Sequence, residues 1–194
     1  MSRRYKTMGS ENAIYNLDKY FYLVDQAINE YDYSDIREAD IVLDIGACVG
    51  GFSLEVNSKV THVYAVEPMF CDLLYANIKL NKASNVTVFE CALGESNTTQ
   101  HISFVDKTSD VAGKSLSEII LMCGGHVDVL KTDCEGGEWH IKPHELEGIR
   151  RIEAEIHSFN GEHLDDFKTM LQETGYNVYV KNRSKTTMLL SARK

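Results

Sequence analysis

The chain has 194 residues, of which 43% are hydrophobic and 25% are charged, and its formal net charge is -9 at pH 7. This length and composition are typical of one globular domain, so we predict a single domain over residues 1–194. The excess of acidic residues repels phosphate backbones and anionic lipid, which argues against duplex nucleic acid and membranes as partners.

Targeting signals and cysteine usage both favour a cytoplasmic location. The basic start "MSRRYKTMGS" is not followed by the apolar core of a signal peptide, and no apolar run is long enough to span a bilayer. The cysteines form no CxxC pair and no obvious disulfide framework, which fits a reducing compartment. They are Cys48, Cys71, Cys91, Cys123 and Cys134.

The first predicted element is an amphipathic helix over residues 11–30, where apolar residues recur every three or four positions. We expect residues 1–38 to form a helical extension that lies over the site formed by the next strand. Runs rich in Val and Ile then predict strands buried on both faces, at 41–45, 60–66, 86–89, 127–130, 152–156 and 176–180. Helices are predicted between them at 52–58, 69–81, 135–146 and 163–174.

This alternation of strands and helices is typical of a parallel sheet with helices on both faces. Residues 93–114 interrupt it, because "GESNTTQ" is turn-like and "HISFV" indicates an added strand. The closing stretch "YNVYVKNRSKTTMLLSA" predicts two strands joined by a short turn, so the last strand should run antiparallel.

The run "VLDIGACVGG" ends the first strand of this sheet in an acid and a group of glycines. Open parallel sheets bind ligands at the carboxyl ends of their strands. A dinucleotide turn reads G-x-G-x-x-G, and Cys48 at its middle position disfavours NAD because a side chain there obstructs a diphosphate. The carboxylate of Asp44 suits an ammonium group instead, such as the amino-acid end of S-adenosylmethionine. The alternative is a tight β–α connection that binds nothing.

The next strand ends in "YAVEP", about twenty residues after the turn. This spacing matches that of the acid that accepts hydrogen bonds from a ribose diol in nucleotide-binding sheets. Glu67 is therefore a candidate for the ribose contact, and its presence makes a turn without a ligand less favoured.

The stretch "LKTDCEGGEWHI" carries a second group of polar residues. Lys131 and Asp133 end a buried strand, and Glu135 and Glu138 follow around two glycines. Acids this close repel one another unless a cation, hydrogen-bond donors or helix-end amides offset the repulsion, so the cluster indicates a site. The alternative is that Glu135 and Glu138 only lie at a helix N-terminus, where acids are favourable by about 0.3–1 kcal/mol.

The strand "RIEAEIHSF" alternates polar and apolar residues, which places Glu153, Glu155 and His157 on one face. His157, near the carboxyl end, is a candidate for a general base or for holding one in place, and a purely structural histidine is the alternative. His140 and His144 have a spacing that could seat a metal ion on a helix, but the proline between them argues against a regular turn.

Four stretches in this order resemble the S-adenosylmethionine-dependent methyltransferases of the FkbM type: "VLDIGACVGGFS", "YAVEP", "LKTDCEGGEWHI" and "EAEIHSF". That family combines an acid-x-glycine-alanine-asparagine turn, a Glu-Pro pair, a Lys-x-Asp-x-Glu-Gly-x-Glu block and a closing Glu-x-His. The resemblance covers residues 41–159. Cys48 replaces the usual asparagine, which puts the strength of cofactor binding in doubt, and Cys134 and Gly137 replace the commoner Val or Ile and Ala.

The resemblance implies a Rossmann-like class I methyltransferase fold, an α/β architecture with helices on both faces of a mostly parallel seven-stranded sheet. The implied strand order is 3-2-1-4-5-7-6, with one strand antiparallel. The implied reaction moves a methyl group from S-adenosylmethionine to an oxygen of a small molecule or sugar, leaving S-adenosylhomocysteine.

The resemblance also implies roles for individual residues. The residues implied at the cofactor are Asp44, Gly46, Ala47, Cys48, Gly50, Glu67, Pro68, Cys91, Ala92 and Asp133. The residues implied in catalysis are Lys131, Asp133, Glu135 and His157. We expect His157 or Asp133 to take the acceptor proton, and Lys131 or the glutamates to orient the acceptor.

Other functions stay open from the sequence. A nucleic-acid methyltransferase should have a basic face or an Asn-Pro-Pro-Tyr type of motif, and neither occurs here. A module that binds the cofactor or another nucleoside without chemistry has no need of acids beside a methyl donor, and a macromolecular acceptor is a further alternative. No metal ion is assigned, although Asp133, Glu135 and His157 could seat a divalent cation or simply form hydrogen bonds.

Overall fold

The computed structural model describes residues 2–5, 13–16 and 20–194. Its strands are β1 (Ser2–Tyr5), β2 (Ala13–Asn16), β3 (Ile41–Ile45), β4 (His62–Val66), β5 (Val86–Phe89), β6 (Ala92–Leu93), β7 (Thr99–Phe104), β8 (Lys107–Lys114), β9 (Val129–Thr132), β10 (Arg151–His157), β11 (Asn177–Arg183) and β12 (Thr187–Arg193). Its α-helices are α1 (Phe21–Glu30), α2 (Gly51–Val56), α3 (Cys71–Asn81), α4 (Leu116–Met122) and α5 (Leu164–Glu173). Short 3-10 helices cover Asn57–Lys59, Gly137–His140 and Pro143–Leu146.

Seven strands form the main sheet, in the order β5-β4-β3-β9-β10-β12-β11. Numbered along the chain, these strands have the order 3-2-1-4-5-7-6, as predicted. The five strands from β5 to β10 pair in parallel, and β12 is antiparallel to both of its neighbours. The expected antiparallel last strand is confirmed.

Neighbouring residues of a strand point to opposite faces of the sheet, and helices cover the apolar side chains on both faces. Leu43 of β3 packs in a cluster that includes residues of α4 and α5. The adjacent Val42 packs instead with Phe52 and Val56 of α2. Both β3 residues have no exposed surface, as expected for a strand with a continuous apolar run.

The added strand expected in residues 93–114 is confirmed. Residues of this region form a separate three-stranded sheet of order β6-β8-β7, outside the main sheet. The other predicted elements, apart from two helices described below, occur with ends shifted by at most three residues. All five cysteines are free thiols, and no helix of the described residues is long and apolar enough to cross a membrane.

The predicted helix over residues 11–30 is wrong in its first half. Ala13–Asn16 is strand β2, paired antiparallel with β1, and among the described residues of 1–38 only Phe21–Glu30 is α-helical, so the expected helical extension is wrong in part. The strand is held by side chains of α3: the amide of Ile14 donates to Asn81 Oδ1 at 2.7 Å, and the amide of Asn16 donates to Asn77 Oδ1 at 2.6 Å. These long-range hydrogen bonds stabilise a strand where the spacing of apolar residues indicated a helix, and residues 11, 12 and 17–19 of the predicted helix lie outside the described residues.

The predicted helix over residues 135–146 is also wrong. The segment contains only the two short 3-10 helices named above. Glu135 and Gly136 have φ angles of 56° and 98°, which a right-handed helix does not allow, and Pro143 starts a new turn. His140 and His144 therefore do not share a face of one helix, as their intervening proline indicates.

A buried ion pair joins β3 to β9 beneath the glycine turn. Asp44 and Lys131 are register partners in the two strands, and the Lys131 Nζ lies 3.2 Å from Asp44 Oδ1. The same ammonium donates a hydrogen bond to the carbonyl oxygen of Gly46 at 2.8 Å, and the Ser53 hydroxyl donates to Asp44 Oδ2 at 2.6 Å. Burial alone would lower the pKa of Lys131, but the charges of Asp44 and Asp133 raise it, so the ammonium stays charged.

We predict that Lys131→Met lowers the free energy of unfolding by about 3–5 kcal/mol, because it leaves a buried carboxylate without a partner. The double variant Lys131→Met/Asp44→Asn should recover part of this loss. Urea unfolding of the four proteins in this cycle measures the coupling. As a control, Arg183→Met breaks an exposed ion pair with Asp165 and should cost far less. Fully additive losses in the cycle would contradict the interaction.

We also predict that Gly46→Ala is more destabilising than Gly148→Ala. Both glycines have positive φ, +74° and +84°, which costs a residue with a side chain about 1–2 kcal/mol. A Cβ on Gly46 would lie 1.8 Å from the carbonyl oxygen of Asp133, whereas a Cβ on Gly148 has no atom within 4 Å. Equal losses in urea unfolding would show that close packing at Gly46 does not matter.

Candidate active site

A cavity of about 570 Å³ opens at the carboxyl ends of β3, β4, β9 and β10. This volume lies within the range of roughly 300–1,000 Å³ that is typical of small-molecule sites. The predicted site residues that line it are Gly46, Ala47, Cys48, Glu67, Pro68, Cys91, Ala92, Lys131, Asp133, Glu135 and His157. Asp44 and Gly50, also predicted at the cofactor, do not line it.

The turn after β3 is fixed to the end of β4. The amides of Gly46 and Ala47 donate to the carbonyl oxygen of Val66 at 3.0 and 3.1 Å. Cys48 has a φ of 52°, and its amide donates to Glu67 Oε2 at 2.7 Å. The glycine turn and Glu67 therefore form one unit, and the Cys48 side chain occupies the cavity wall at the position where a dinucleotide turn has glycine.

Glu67 is a nearly buried carboxylate that still lines the cavity. Its Oε1 accepts hydrogen bonds from the amides of Met69 and Phe70 at 2.6 and 2.9 Å, in addition to the bond from Cys48 to Oε2. Burial raises the pKa of Glu67, and these three backbone hydrogen bonds oppose the rise. Since a carboxylate offers about four acceptor positions, one is left for a ligand.

Asp44 does not reach the cavity, which corrects its expected contact with an ammonium group. Its carboxylate has no exposed surface and is occupied by Lys131 and Ser53. The Lys131 ammonium in turn binds Asp44 and the Gly46 carbonyl, so it supports the turn rather than being free to orient an acceptor. The strand-end acid and lysine are parts of the scaffold beneath the site.

The predicted cluster of acids is found at the end of β9 and β10. Asp133 lines the cavity, and its Oδ2 accepts a hydrogen bond from the Tyr31 hydroxyl at 2.8 Å. His157 Nε2 lies 3.7 Å from Glu135 Oε2 and 3.9 Å from Glu155 Oε1. Three carboxylates and one imidazole thus face the same end of the cavity.

His157 is held firmly in this cluster. The Trp139 indole N–H donates to the His157 carbonyl oxygen at 2.6 Å, and the Phe159 ring stacks on the imidazole with centroids 5.6 Å apart. Burial alone would lower the pKa of His157, but Glu138 and the charges of Glu135 and Asp133 raise it to about 9. The ligand-free imidazole is therefore protonated at neutral pH, where it cannot serve as the general base that the sequence suggested.

Glu138 has a structural role, as the alternative interpretation of the sequence allowed. It has no exposed surface and does not line the cavity. Its Oε1 accepts from the Cys134 amide at 2.6 Å and its Oε2 from the Gly136 amide at 2.8 Å. Glu135, by contrast, lines the cavity, so the two glutamates of this block lie in different environments.

Sequence reasoning missed several lining residues. Glu30 and Tyr31, at the end of α1, line the cavity and were not predicted. Glu155 was predicted on the polar face of its strand but not as a site residue. Residues 100–105 of the added sheet also form part of the wall. A helix expected over the site and ending in an acid and a tyrosine was the signal that could have identified Glu30 and Tyr31.

No protein-family model matches this sequence, and no curated protein sequence does either. Solved structures do share the fold. Precorrin-6y C5,15-methyltransferase from Geobacter metallireducens is 14% identical with a TM-score of 0.58, over 98% of this chain and 95% of that protein. Precorrin 8W decarboxylase from Methanobacterium thermoautotrophicum is 16% identical with a TM-score of 0.54, over 90% of each chain.

A third similar structure, from Streptococcus pneumoniae, is a candidate tRNA (m1A22) methyltransferase in complex with S-adenosyl-L-methionine. It is 12% identical with a TM-score of 0.55, over 89% of this chain and 72% of that protein. Identities this low establish the fold alone, and membership of the FkbM family stays a prediction. The chain has the Rossmann-like fold of class I methyltransferases.

Proposed function

We propose that this protein is an S-adenosylmethionine-dependent methyltransferase acting on an oxygen of a small molecule or sugar. The observation that carries the proposal is that one cavity combines the glycine turn and Glu67 at one end with the acids after β9 and β10 at the other. Group transfer requires a cofactor and an acceptor side by side in such a cavity. The S-adenosyl-L-methionine complex with the same fold supports the choice of cofactor.

The lining residues fit the parts of the cofactor. Cys91 and Ala92 and the Phe70 ring offer an apolar wall for adenine. The free acceptor position of Glu67 suits a ribose hydroxyl, beside Pro68. The turn of Gly46, Ala47 and Cys48 is left for the methionine end, with Asp133 near the methyl group.

The cofactor supplies an electrophilic methyl group, whose bond to sulfur breaks as the bond to the acceptor oxygen forms. The acceptor hydroxyl must lose its proton in the same step, and a carboxylate, Asp133 or Glu135, takes it. Tyr31 holds Asp133 in place through their hydrogen bond. Phe159 stacks on one face of the His157 imidazole.

Two alternatives have less support. The Cys48 side chain in the cavity wall argues against a dinucleotide, whose diphosphate needs close approach to the backbone. An acid-lined acceptor side and a net charge of -9 argue against RNA, although similar structures include tRNA and rRNA methylases. A cytoplasmic location is part of this proposal and is supported by the five free cysteines.

We predict that calorimetric titration gives micromolar binding of S-adenosylhomocysteine and no binding of NAD. In the same experiment, Glu67→Gln should weaken S-adenosylhomocysteine binding about 10- to 100-fold, because a hydrogen bond to a charged group contributes about 1.5–3 kcal/mol. Glu173→Gln, at an exposed position at the end of α5, is the control and should change nothing. Binding of NAD alone would overturn the choice of cofactor.

We predict that Asp133→Asn lowers turnover at least about 100-fold, as expected for a general base that accepts the proton of the acceptor hydroxyl. The same substitution should change the affinity for S-adenosylhomocysteine little. Turnover is measured as S-adenosylhomocysteine formed with a panel of hydroxylated sugars and phenols. Asp166→Asn, on the exposed side of α5, is the matched control. Loss of S-adenosylhomocysteine binding in Asp133→Asn would instead place Asp133 on the cofactor side.

A further inference from the structure

We propose that Asp133, Glu155 and His157 form a binding site for a divalent metal ion at the acceptor end of the cavity. A carboxylate oxygen from each acid and a ring nitrogen of His157 lie within 4.8 Å of one another. The three residues come from the ends of two adjacent parallel strands, β9 and β10, so the scaffold holds them on one side of the cavity. Glu135 is the nearest additional carboxylate.

The distances suit a shared ion better than direct hydrogen bonds. Nε2 of His157 lies 3.9 Å from Glu155 Oε1 and 3.7 Å from Glu135 Oε2, beyond the roughly 2.7–3.2 Å of a hydrogen bond. An ion with bonds of about 2.1 Å places its ligands about 3 Å apart when adjacent and about 4 Å apart when opposite. The 3.9 Å that separates His157 Nε2 from Glu155 Oε1 lies between these two values.

The imidazole of His157 is a second observation that points to a ligand. The residue is 7% exposed, and in the described part of the chain its Nδ1 has no hydrogen-bond partner. Nδ1 lies 3.8 Å from Glu138 Oε1, and Nε2 faces the carboxylates in the cavity. Metal-binding histidines commonly direct one ring nitrogen at the ion and the other at a carboxylate, and Glu138 lies on the Nδ1 side of His157 at a distance longer than a hydrogen bond.

Charge also favours a cation here. Glu30, Asp133, Glu135 and Glu155 line one region around His157, and exchange of the His157 proton for a divalent ion adds one net positive charge to these acids. Within the described residues, the buried Glu30 Oε2 has no hydrogen-bond partner. An added positive charge would relieve this repulsion.

The donor atoms of the site are of the kind that divalent metal ions bind in proteins. Two carboxylates with one imidazole are a suitable set for Mn²⁺, with open positions left for the oxygen of an acceptor.

The ion's role, though not its binding, rests on the proposed methyl transfer. An ion at this site would bind the acceptor oxygen and lower the pKa of its hydroxyl, so that less basic groups can remove the proton. With Asp133 holding the ion, Glu135 is the carboxylate left to accept that proton. The acceptor would then be a hydroxyl compound able to coordinate a metal.

The test is titration of chelator-treated protein with Mn²⁺, without cofactor, followed by electron paramagnetic resonance. We expect one bound Mn²⁺ per chain. Glu155→Gln and His157→Gln should each weaken binding at least tenfold. Glu162→Gln is the control, because it removes the same charge from the same cavity outside the three ligands, and it should change binding less than twofold. Thermal unfolding confirms that each variant is folded.

Each outcome decides the proposal. No Mn²⁺ binding to the wild-type protein, or equal weakening by Glu155→Gln and Glu162→Gln, would overturn the site. Titration of the same samples with S-adenosylhomocysteine separates this proposal from the proposed function. If the protein binds S-adenosylhomocysteine but not Mn²⁺, the metal site is overturned and the proposed methyltransferase function is kept. If it binds Mn²⁺ but not S-adenosylhomocysteine, the metal site is kept and the proposed function is overturned.

Discussion

The buried pair of Asp44 and Lys131 is the interaction on which the site depends. It ties β3 to β9 at the register position just before both strands end, and the Lys131 ammonium also holds the Gly46 carbonyl. Gly46 in turn packs against the Asp133 carbonyl too closely for any side chain. The glycine turn and the acids after β9 and β10 are therefore positioned by one charged contact below them.

Much of the sheet could be predicted because its signal is local. Strands buried on both faces favour apolar runs, and such runs mark β3 and β4, whereas β10 is marked by alternation of polar and apolar residues and the edge strand β5 is only partly buried. The two helix predictions that were wrong depend on features that the local pattern does not contain, namely long-range hydrogen bonds and backbone conformation. Side chains of α3 bind the backbone of β2, which no periodicity reveals. The positive φ angles of Glu135 and Gly136 prevent an α-helix in a segment whose composition allows one.

The site divides in the same way. Motif spacing found Glu67, Asp133 and His157, because strand ends meet at one edge of a parallel sheet. It could not decide whether Asp44 faces a ligand or a lysine on the neighbouring strand, since that depends on register. Glu30 reaches the cavity through the packing of α1 on α2, a contact that the sequence does not specify.

The separation of charges within the site follows from this scaffold. Lys131 is neutralised beneath the turn by Asp44, so the acids of the acceptor end keep a negative field in a partly buried space. Such a field favours positively charged ligands and is strongest where water is excluded. S-adenosylmethionine carries a positive sulfonium, whereas S-adenosylhomocysteine is a neutral thioether at the same atom. Under the proposed function, the acids hold S-adenosylmethionine more tightly than S-adenosylhomocysteine, which assists product release after each transfer.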